Sequence, residues 1–205
     1  MNRDAMPRRH LAAAPLLLLA ACQSPASDAV GPSPDGVDLR GAAIGGPFTL
    51  TGEDGKPVSW DDFKGRYRTI YFGYAFCPDI CPTDVQRAMA GLKRFEAKNP
   101  ALGAKIQPLF VSVDPERDTP AVLTEFTNNF HPRLIGMTGS PETLKQVAKR
   151  FATSFSKGEV RPGGGYLMNH QGLTYLFDPD GKPLGTLPTD KGPDAVAAEL
   201  ERWVR

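Results

Sequence analysis

An apolar strand passes directly into a helix in the run Thr69-Ile70-Tyr71-Phe72-Gly73-Tyr74-Ala75-Phe76-Cys77-Pro78-Asp79-Ile80-Cys81-Pro82. Its first part, residues 69–76, is aromatic and β-branched, which is typical of a buried strand. Two thiols four residues apart, those of Cys77 and Cys81, lie at the junction, where they can form a disulfide or hold one soft metal ion. Apolar residues at helical spacing then predict a helix over about 82–98: Val85, Ala88, Met89, Leu92 and Phe95.

The two thiols are predicted to be reactive. We expect Cys81 close to the N-cap of the helix and Pro82 at its first position, where the missing N–H costs nothing. A helix N-terminus lowers the pKa of a thiol and favours the thiolate, which is both the nucleophile and the metal ligand. The alternative is a structural disulfide, but such bridges usually join distant segments of small domains. The pattern therefore favours a redox or metal-binding pair.

Composition restricts the class of protein. The chain has 205 residues and a formal net charge of +1, which suits one domain with a sizeable core. No basic block or basic tail is present in the sequence. Nucleic-acid binding usually requires such a patch, so we expect no nucleic-acid partner.

The N-terminus predicts export and membrane attachment. Residues 1–21 form a signal peptide, with three arginines before an apolar run too short to span a bilayer. The run ends in Leu19-Ala20-Ala21-Cys22, which resembles a bacterial lipobox and implies cleavage before Cys22 and lipidation of its thiol. Residues 22–45 are rich in Pro, Ser, Ala and Gly and predict a lipidated flexible tether. The folded domain is expected over 46–205, on the periplasmic side of a bacterial membrane, with the inner membrane favoured.

Strand and helix signals alternate along the predicted domain, which indicates an α/β sheet layered by helices. Turn residues at 52–55 predict an N-terminal β-hairpin, and either Thr119 or Asp118 is expected to cap a helix. The remaining predicted elements are a strand at Leu109–Val113, helices from Ala121 to Phe130 and from Ser140 to about Phe151, a hairpin over Leu173–Leu187, and a final helix from Gly192 that carries Val196, Leu200, Trp203 and Val204.

A third candidate ligand is a histidine. His10 lies in the signal peptide, and His131 precedes a proline and is predicted to be a surface loop residue. His170 follows the glycine run 163–165, and mobile loops on rigid scaffolds often carry function. Two thiolates and one imidazole suit Cu(I) in three-coordination. Zinc with an open position is an alternative, and ligand chemistry alone does not separate the two metals.

Three motifs in this order resemble the Sco/SenC family of copper-binding, thioredoxin-like cytochrome c oxidase assembly proteins. They are residues 77–82, residues 111–120 and the stretch from His170 to Gly181. The resemblance covers about residues 46–204. It implies a thioredoxin-like fold, a central mixed sheet flanked by helices, here with the added N-terminal β-hairpin. It also implies one copper ion, Cu(I) or Cu(II), bound by Cys77, Cys81 and His170. The implied partners are the copper-binding subunit of cytochrome c oxidase and a periplasmic copper donor.

The chain departs from the family pattern beside His170. The family usually has an acidic residue just before the ligand histidine, where a carboxylate orients the imidazole and raises its basicity. Here that residue is Asn169, a neutral acceptor, and Gln171 replaces a small hydroxyl residue. These changes bear on Cu(II) affinity and redox behaviour. Met168 is predicted to pack in a strand-like segment rather than to bind metal. Asp114 and Asp118 are predicted to be turn and cap residues.

Three functions are compatible with these residues. A copper chaperone would use all three ligands and pass copper on by ligand exchange, whereas a thiol–disulfide reductase would need only Cys77 and Cys81, to keep the oxidase's copper-ligand cysteines reduced. A peroxidase-like enzyme would attack peroxide with one thiolate. Thioredoxin-type reductases carry CxxC and a cis-proline, but no proline lies between residues 163 and 179. We therefore expect a metallochaperone rather than an enzyme, with redox activity towards one partner as a secondary role.

Overall fold

The structure is a computed structural model that describes residue 1, residues 34–160 and residues 163–205. The predicted signal peptide, apart from its first residue, and Cys22 lie outside the described residues. Within the described part of the chain, no helix combines the length and the apolar character that crossing a membrane requires.

Strands and helices alternate along the described chain in the order predicted for an α/β domain. The strands are β1 (Thr49–Gly52), β2 (Pro57–Ser59), β3 (Tyr67–Gly73), β4 (Ile106–Ser112), β5 (Ile135–Thr138), β6 (Phe155–Lys157), β7 (Met168–His170), β8 (Thr174–Phe177) and β9 (Pro183–Leu187). The helices are α1 (Ile80–Lys98), α2 (Pro100–Gly103), α3 (Pro120–Asn128), α4 (Pro141–Arg150) and α5 (Pro193–Trp203), with short 3-10 turns at Trp60–Phe63 and Thr189–Lys191.

Seven strands form one mixed sheet in the order β2-β1-β5-β4-β3-β8-β9. The central strands β3, β4 and β5 are parallel, and β8 is antiparallel to β3. Every residue of β3 and β4 is buried, as expected where helices cover both faces of a parallel sheet. The predicted N-terminal hairpin is confirmed as β1 and β2, and β1 joins the sheet beside β5. The predicted central mixed sheet is confirmed.

Two apolar layers cover the sheet. Helices α1 and α5 pack together on one face, and Gly91 allows the close approach because a Cβ there would overlap Val196. The aromatic ring of Trp60 and helix α4 cover the other face, where Phe151 makes edge contacts with Trp60 and Phe177. Strand β3 therefore runs through the centre of the core, and the loop after it emerges between the layers.

The start of α1 differs from the prediction. The helix begins at Ile80, so Cys81 lies in its first turn and Pro82 is its third residue. A residue before proline is biased away from helical geometry, which is why the later start was expected. Proline is nevertheless tolerated throughout the first turn, because those N–H groups have no intrahelical acceptor. The cap of α3 is Thr119, whose Oγ1 accepts from the N–H of Val122 at 3.4 Å.

Part of the predicted tether belongs to the domain. The N–H of Val37 donates to Thr186 Oγ1 at 2.9 Å, and that of Leu39 donates to the Leu184 carbonyl at 3.0 Å. These bonds lay residues 37–39 along β9. Residues 37–39, which composition assigns to the tether, therefore pair with an edge strand, a contact that composition alone does not reveal.

The prediction that His131 is a surface loop residue is wrong. Its side chain is 3 % exposed, and Nε2 lies 3.2 Å from Glu96 Oε2 on α1. Burial lowers the pKa of His131, against the opposing effect of Glu96. Arg133 donates to the same carboxylate. His131 therefore ties the segment after α3 to α1 and has no role in the candidate site.

Candidate metal site

The three predicted ligands come together at one end of β3. Cys77 lies in the loop after β3, Cys81 in the first turn of α1, and His170 at the end of β7. One ligand atom from each residue lies within 4.8 Å of the other two. Cys81 Sγ and His170 Nε2 are 3.0 Å apart, although 89 positions separate them in sequence. The arrangement can hold one metal ion.

Gly73 makes room for the buried thiol. It is the last residue of β3, directly beneath the first turn of α1. A Cβ built on Gly73 would lie 3.1 Å from Cys81 Sγ and 2.7 Å from Cε1 of Tyr71. Real Cβ atoms essentially never come as close as the second distance, and the first is tight enough that Cys81 Sγ would have to move by a few tenths of an ångström. A side chain at this position would therefore displace Cys81 or the Tyr71 ring.

The two thiols are free and differ in their electrostatics. Burial raises the pKa of Cys77, but N–H groups of Cys81 and Asp79 outweigh it, so the pKa is lowered overall. The Cys81 N–H approaches Cys77 Sγ at 3.5 Å. Burial dominates for Cys81, whose side chain is fully enclosed, and raises its pKa well above the usual value. The expectation that the helix N-terminus lowers the thiol pKa is wrong for Cys81. Cys77 is the thiol that the helix N-terminus stabilises as a thiolate.

His170 presents a neutral imidazole to the thiols. Burial is the main cause of its lowered pKa. Its Nδ1 lies 3.2 Å from the carbonyl oxygen of Gln171, which suits a proton on Nδ1 and a free lone pair on Nε2. Edge contacts with the rings of Tyr71 and Tyr74, at centroid distances of 6.1 and 5.7 Å, limit rotation of the imidazole. The ring is thus oriented as a metal ligand requires.

Asn169 does not perform the role that an acidic residue before the histidine would have. It points away from the site, and its Nδ2 donates to Ser156 Oγ on β6 at 3.3 Å. The carbonyl of Gln171 is the acceptor beside His170 Nδ1. Met168 packs against the apolar layers on both faces of the sheet, which confirms the prediction that it is a packing residue.

Asp84 is a buried polar neighbour of the site that the sequence analysis missed. It lies on α1, and its Oδ2 accepts from the hydroxyl of Tyr71 at 3.2 Å. Burial raises its pKa. The available signal was an acidic residue next to Val85, on the face of α1 that the apolar spacing assigns to the core. Asp84 holds the ring of Tyr71 beside His170.

Asp114 and Asp118 lie near the site but are not among its three candidate ligands. The carbonyl of Asp114 accepts from the N–H groups of Arg117 and Asp118, which confirms its turn position. Asp118 is not a helix cap: its side chain is fully buried, and Oδ2 accepts from the Ala75 N–H at 2.7 Å and from Ser112 Oγ at 2.5 Å. It braces the loop that leads to Cys77.

The fold and this site together define a thioredoxin-like protein with a two-cysteine, one-histidine centre. The thioredoxin domain of a thiol-disulfide oxidoreductase from Bacteroides vulgatus shares the fold, with a TM-score of 0.54 over 79% of this chain and 96% of that one at 20% identity. The SCO1/SenC family model matches residues 37–205. The chain therefore belongs to the SCO1/SenC family.

Individual members of the family are also similar to this chain in sequence or in structure. "Protein SCO2, mitochondrial" of Saccharomyces cerevisiae is 42% identical over 167 residues, which are 79% of this chain and 54% of that protein. The chain thus spans about half the length of this curated relative. Bradyrhizobium japonicum ScoI, solved with copper bound, has a TM-score of 0.70 and 36% identity, covering 79% of this chain and all of that one. BsSco, described as a member of the Sco family of cytochrome c oxidase assembly proteins with a disulfide switch, has a TM-score of 0.62 and 28% identity, covering 80% and 94%.

Proposed function

We propose that this protein is a membrane-tethered copper chaperone that binds one copper ion and helps to assemble the copper centre of cytochrome c oxidase. The observation that carries the proposal is the convergence of Cys77, Cys81 and His170, with ligand atoms within 4.8 Å of one another. The copper-bound ScoI relative and the oxidase-assembly role of BsSco support it.

The donor set fits copper as a cargo. Two sulfurs and one imidazole nitrogen are soft ligands that suit Cu(I) in three-coordination. The cluster among the described residues has three members, and a closed structural zinc site would use four. The lowered pKa of Cys77 favours its thiolate, His170 offers a lone pair, and Cys81, whose pKa is raised by burial, must give up a proton when the metal binds. Transfer to a partner would proceed by exchange of these ligands for the partner's thiolates.

The proposal includes the cellular setting. A signal peptide over residues 1–21 and lipidation at Cys22 would anchor the chain on the periplasmic side of a bacterial membrane, the inner one by preference. The lipidated tether would be residues 22–45, of which residues 37–39 lie along β9. The partners would be the copper-binding subunit of the oxidase, within the same membrane, and a periplasmic copper donor.

A thiol–disulfide reductase that acts on the oxidase's copper-ligand cysteines is the second candidate. Two observations favour it: Cys77 and Cys81 are free thiols with unequal pKa values, and BsSco has a disulfide switch. An attacking thiolate paired with a protonated, buried thiol is a familiar redox arrangement. This activity would require both cysteines but not His170.

The deciding experiment uses a strain that carries His170→Ala at normal protein level. A copper carrier needs all three ligands, so oxidase activity in copper-limited medium should fall towards that of the deletion strain and recover when copper is added. Cys77→Ser is the matched control, because it disables both functions. Wild-type oxidase activity in the His170→Ala strain under copper limitation would overturn copper delivery and leave thiol reduction as the function.

A further inference from the structure

We propose that the turn of residues 114–118 is a clamp that positions His170 against the two thiols. The proposal deepens the copper-binding function and rests on it. The turn connects β4 to α3 and contributes no ligand. It contacts both segments that deliver ligands to the site, through Arg117 and Asp114 on one side and Asp118 on the other.

On the histidine side, the clamp holds Tyr166, four residues before His170. The guanidinium carbon of Arg117 lies 3.7 Å from the centroid of the Tyr166 ring, and Nη1 donates to the Tyr166 carbonyl at 3.0 Å. The Tyr166 hydroxyl donates to Asp114 Oδ1 at 2.8 Å. Asp114 Oδ2 in turn accepts from Arg117 Nε at 2.5 Å, and only 2 % of the Asp114 side chain is exposed. Tyr166 is therefore held at its ring, hydroxyl and carbonyl.

On the cysteine side, the same turn fixes the loop before Cys77. Asp118 Oδ2 accepts from the N–H of Ala75 at 2.7 Å, two residues before the thiol. Arg117 also lies 5.4 Å from the ring centroid of Phe76, the residue adjacent to Cys77. Because one five-residue turn holds both segments, it sets the position of His170 relative to Cys77.

Strand pairing alone would not fix His170. Within the described part of the chain, β7 pairs only with β6, and each has three residues, whereas an isolated two-stranded hairpin is at best marginally stable. The approach to β7 is also weakly constrained, since Gly163, Gly164 and Gly165 have open space where a Cβ would stand. The contacts of Tyr166 thus provide anchoring that the glycines and the short strand lack.

The test combines Tyr166→Phe with His170→Ala in a double-mutant cycle. Tyr166→Phe removes the hydroxyl that bonds to Asp114 at 2.8 Å and also lies 3.2 Å from Glu116 Oε2 in the same turn, and it keeps the ring over Arg117. Loss of one such bond to a carboxylate should weaken copper binding about three- to tenfold when His170 is present. It should have no effect on affinity when His170 is already alanine. The visible spectrum of the Cu(II) form should also change, because that spectrum reports the nitrogen ligand.

Tyr67→Phe is the matched control, because it removes a tyrosine hydroxyl at the other end of β3. The Tyr67 hydroxyl accepts from the N–H of Arg205 at 3.1 Å, far from the ligands along the strand. Tyr67→Phe should leave copper affinity and the Cu(II) spectrum at wild-type values. Hydrogen exchange of the copper-free protein supplies a readout independent of metal: Tyr166→Phe should accelerate exchange about three- to tenfold in residues 166–171, and Tyr67→Phe should not.

Equal weakening of copper binding by Tyr166→Phe with and without His170 would overturn the clamp, as would unchanged exchange in residues 166–171. If the wild-type protein takes up no copper, the proposed function fails. The exchange measurement on the copper-free protein still decides whether the turn orders the His170 segment, so the two failures are distinguishable.

Discussion

Replacing Gly73 with alanine should damage the copper site through a single methyl group. The added Cβ would lie 2.7 Å from Tyr71 Cε1 and 3.1 Å from Cys81 Sγ. The ring of Tyr71 cannot easily move away, because it stacks on Phe110 and its hydroxyl is held by Asp84. The backbone at residue 73 must therefore move away from the ring, and the thiol of Cys81 must shift by a few tenths of an ångström relative to His170.

The size of the effect follows from this crowding. Overpacking a well-filled core by a methyl group usually costs about 1–3 kcal/mol. Alanine also stiffens the unfolded chain, which returns about 0.4–1 kcal/mol. We expect a net loss of roughly 1–2 kcal/mol, which for a domain of this size lowers Tm by roughly 2–8 °C. Changes that displace or reorient a ligand without removing it typically reduce metal affinity about 10- to 100-fold.

Two assays check this prediction on reduced protein: thermal unfolding without metal, and Cu(I) affinity by competition with a chromophoric chelator. Gly165→Ala is the matched control, because nothing lies within 4 Å of a Cβ there and the backbone needs no positive φ. It should lower neither stability nor affinity. If Gly73→Ala unfolds at the wild-type temperature and binds Cu(I) as tightly as the wild type, Gly73 does not set the position of the Cys81 thiol.

Three further predictions concern the ligands and the anchor. One copper should bind per chain only while Cys77 and Cys81 are reduced. Cys77→Ser or Cys81→Ser should abolish tight Cu(I) binding in the same competition assay. Tight binding by either variant would contradict a two-thiolate site. Because burial raises the pKa of Cys81, its proton must leave on binding, so Cu(I) affinity should rise by at least about tenfold per pH unit between pH 6 and pH 8, and a flat profile would contradict this. Cys22→Ala should give soluble or unprocessed protein on fractionation, whereas membrane retention of a correctly processed variant would exclude lipid anchoring at this residue.

The sequence predicted elements whose local signals are strong. Strand β3, helix α1 and the β8–β9 hairpin were found because apolar spacing and turn residues agree there. Strand β5 was missed, because Ile135–Thr138 is short and contains a glycine that weakens the strand pattern. Strand β6 was missed for a similar reason, since a three-residue strand has no measurable periodicity, and β7 was anticipated only as a strand-like segment around Met168.

Burial of polar residues was the main source of error. His131 and Asp118 look like loop and cap residues because their partners, Glu96 and the Ala75 N–H, are distant in sequence. The low exposure of each side chain follows from those tertiary contacts, which no local pattern encodes. The convergence of His170 with Cys81 is a contact of the same kind. Residue chemistry made His170 a candidate metal ligand, and the family resemblance then implied that it binds the metal.

The surrounding structure restrains the three candidate ligands to different degrees. These differences indicate the order in which the ligands would release copper. Cys81 is fully buried in a helix, so its thiolate exchanges with difficulty. Cys77 lies in a loop that Asp118 braces. His170 is carried by a three-residue strand that is anchored by the contacts of Tyr166 and by the packing of Met168. An incoming thiolate would therefore displace His170 first, at the smallest structural cost, and Cys81 last. This order explains how one site could retain copper tightly through its sulfurs and still begin to release it to a partner.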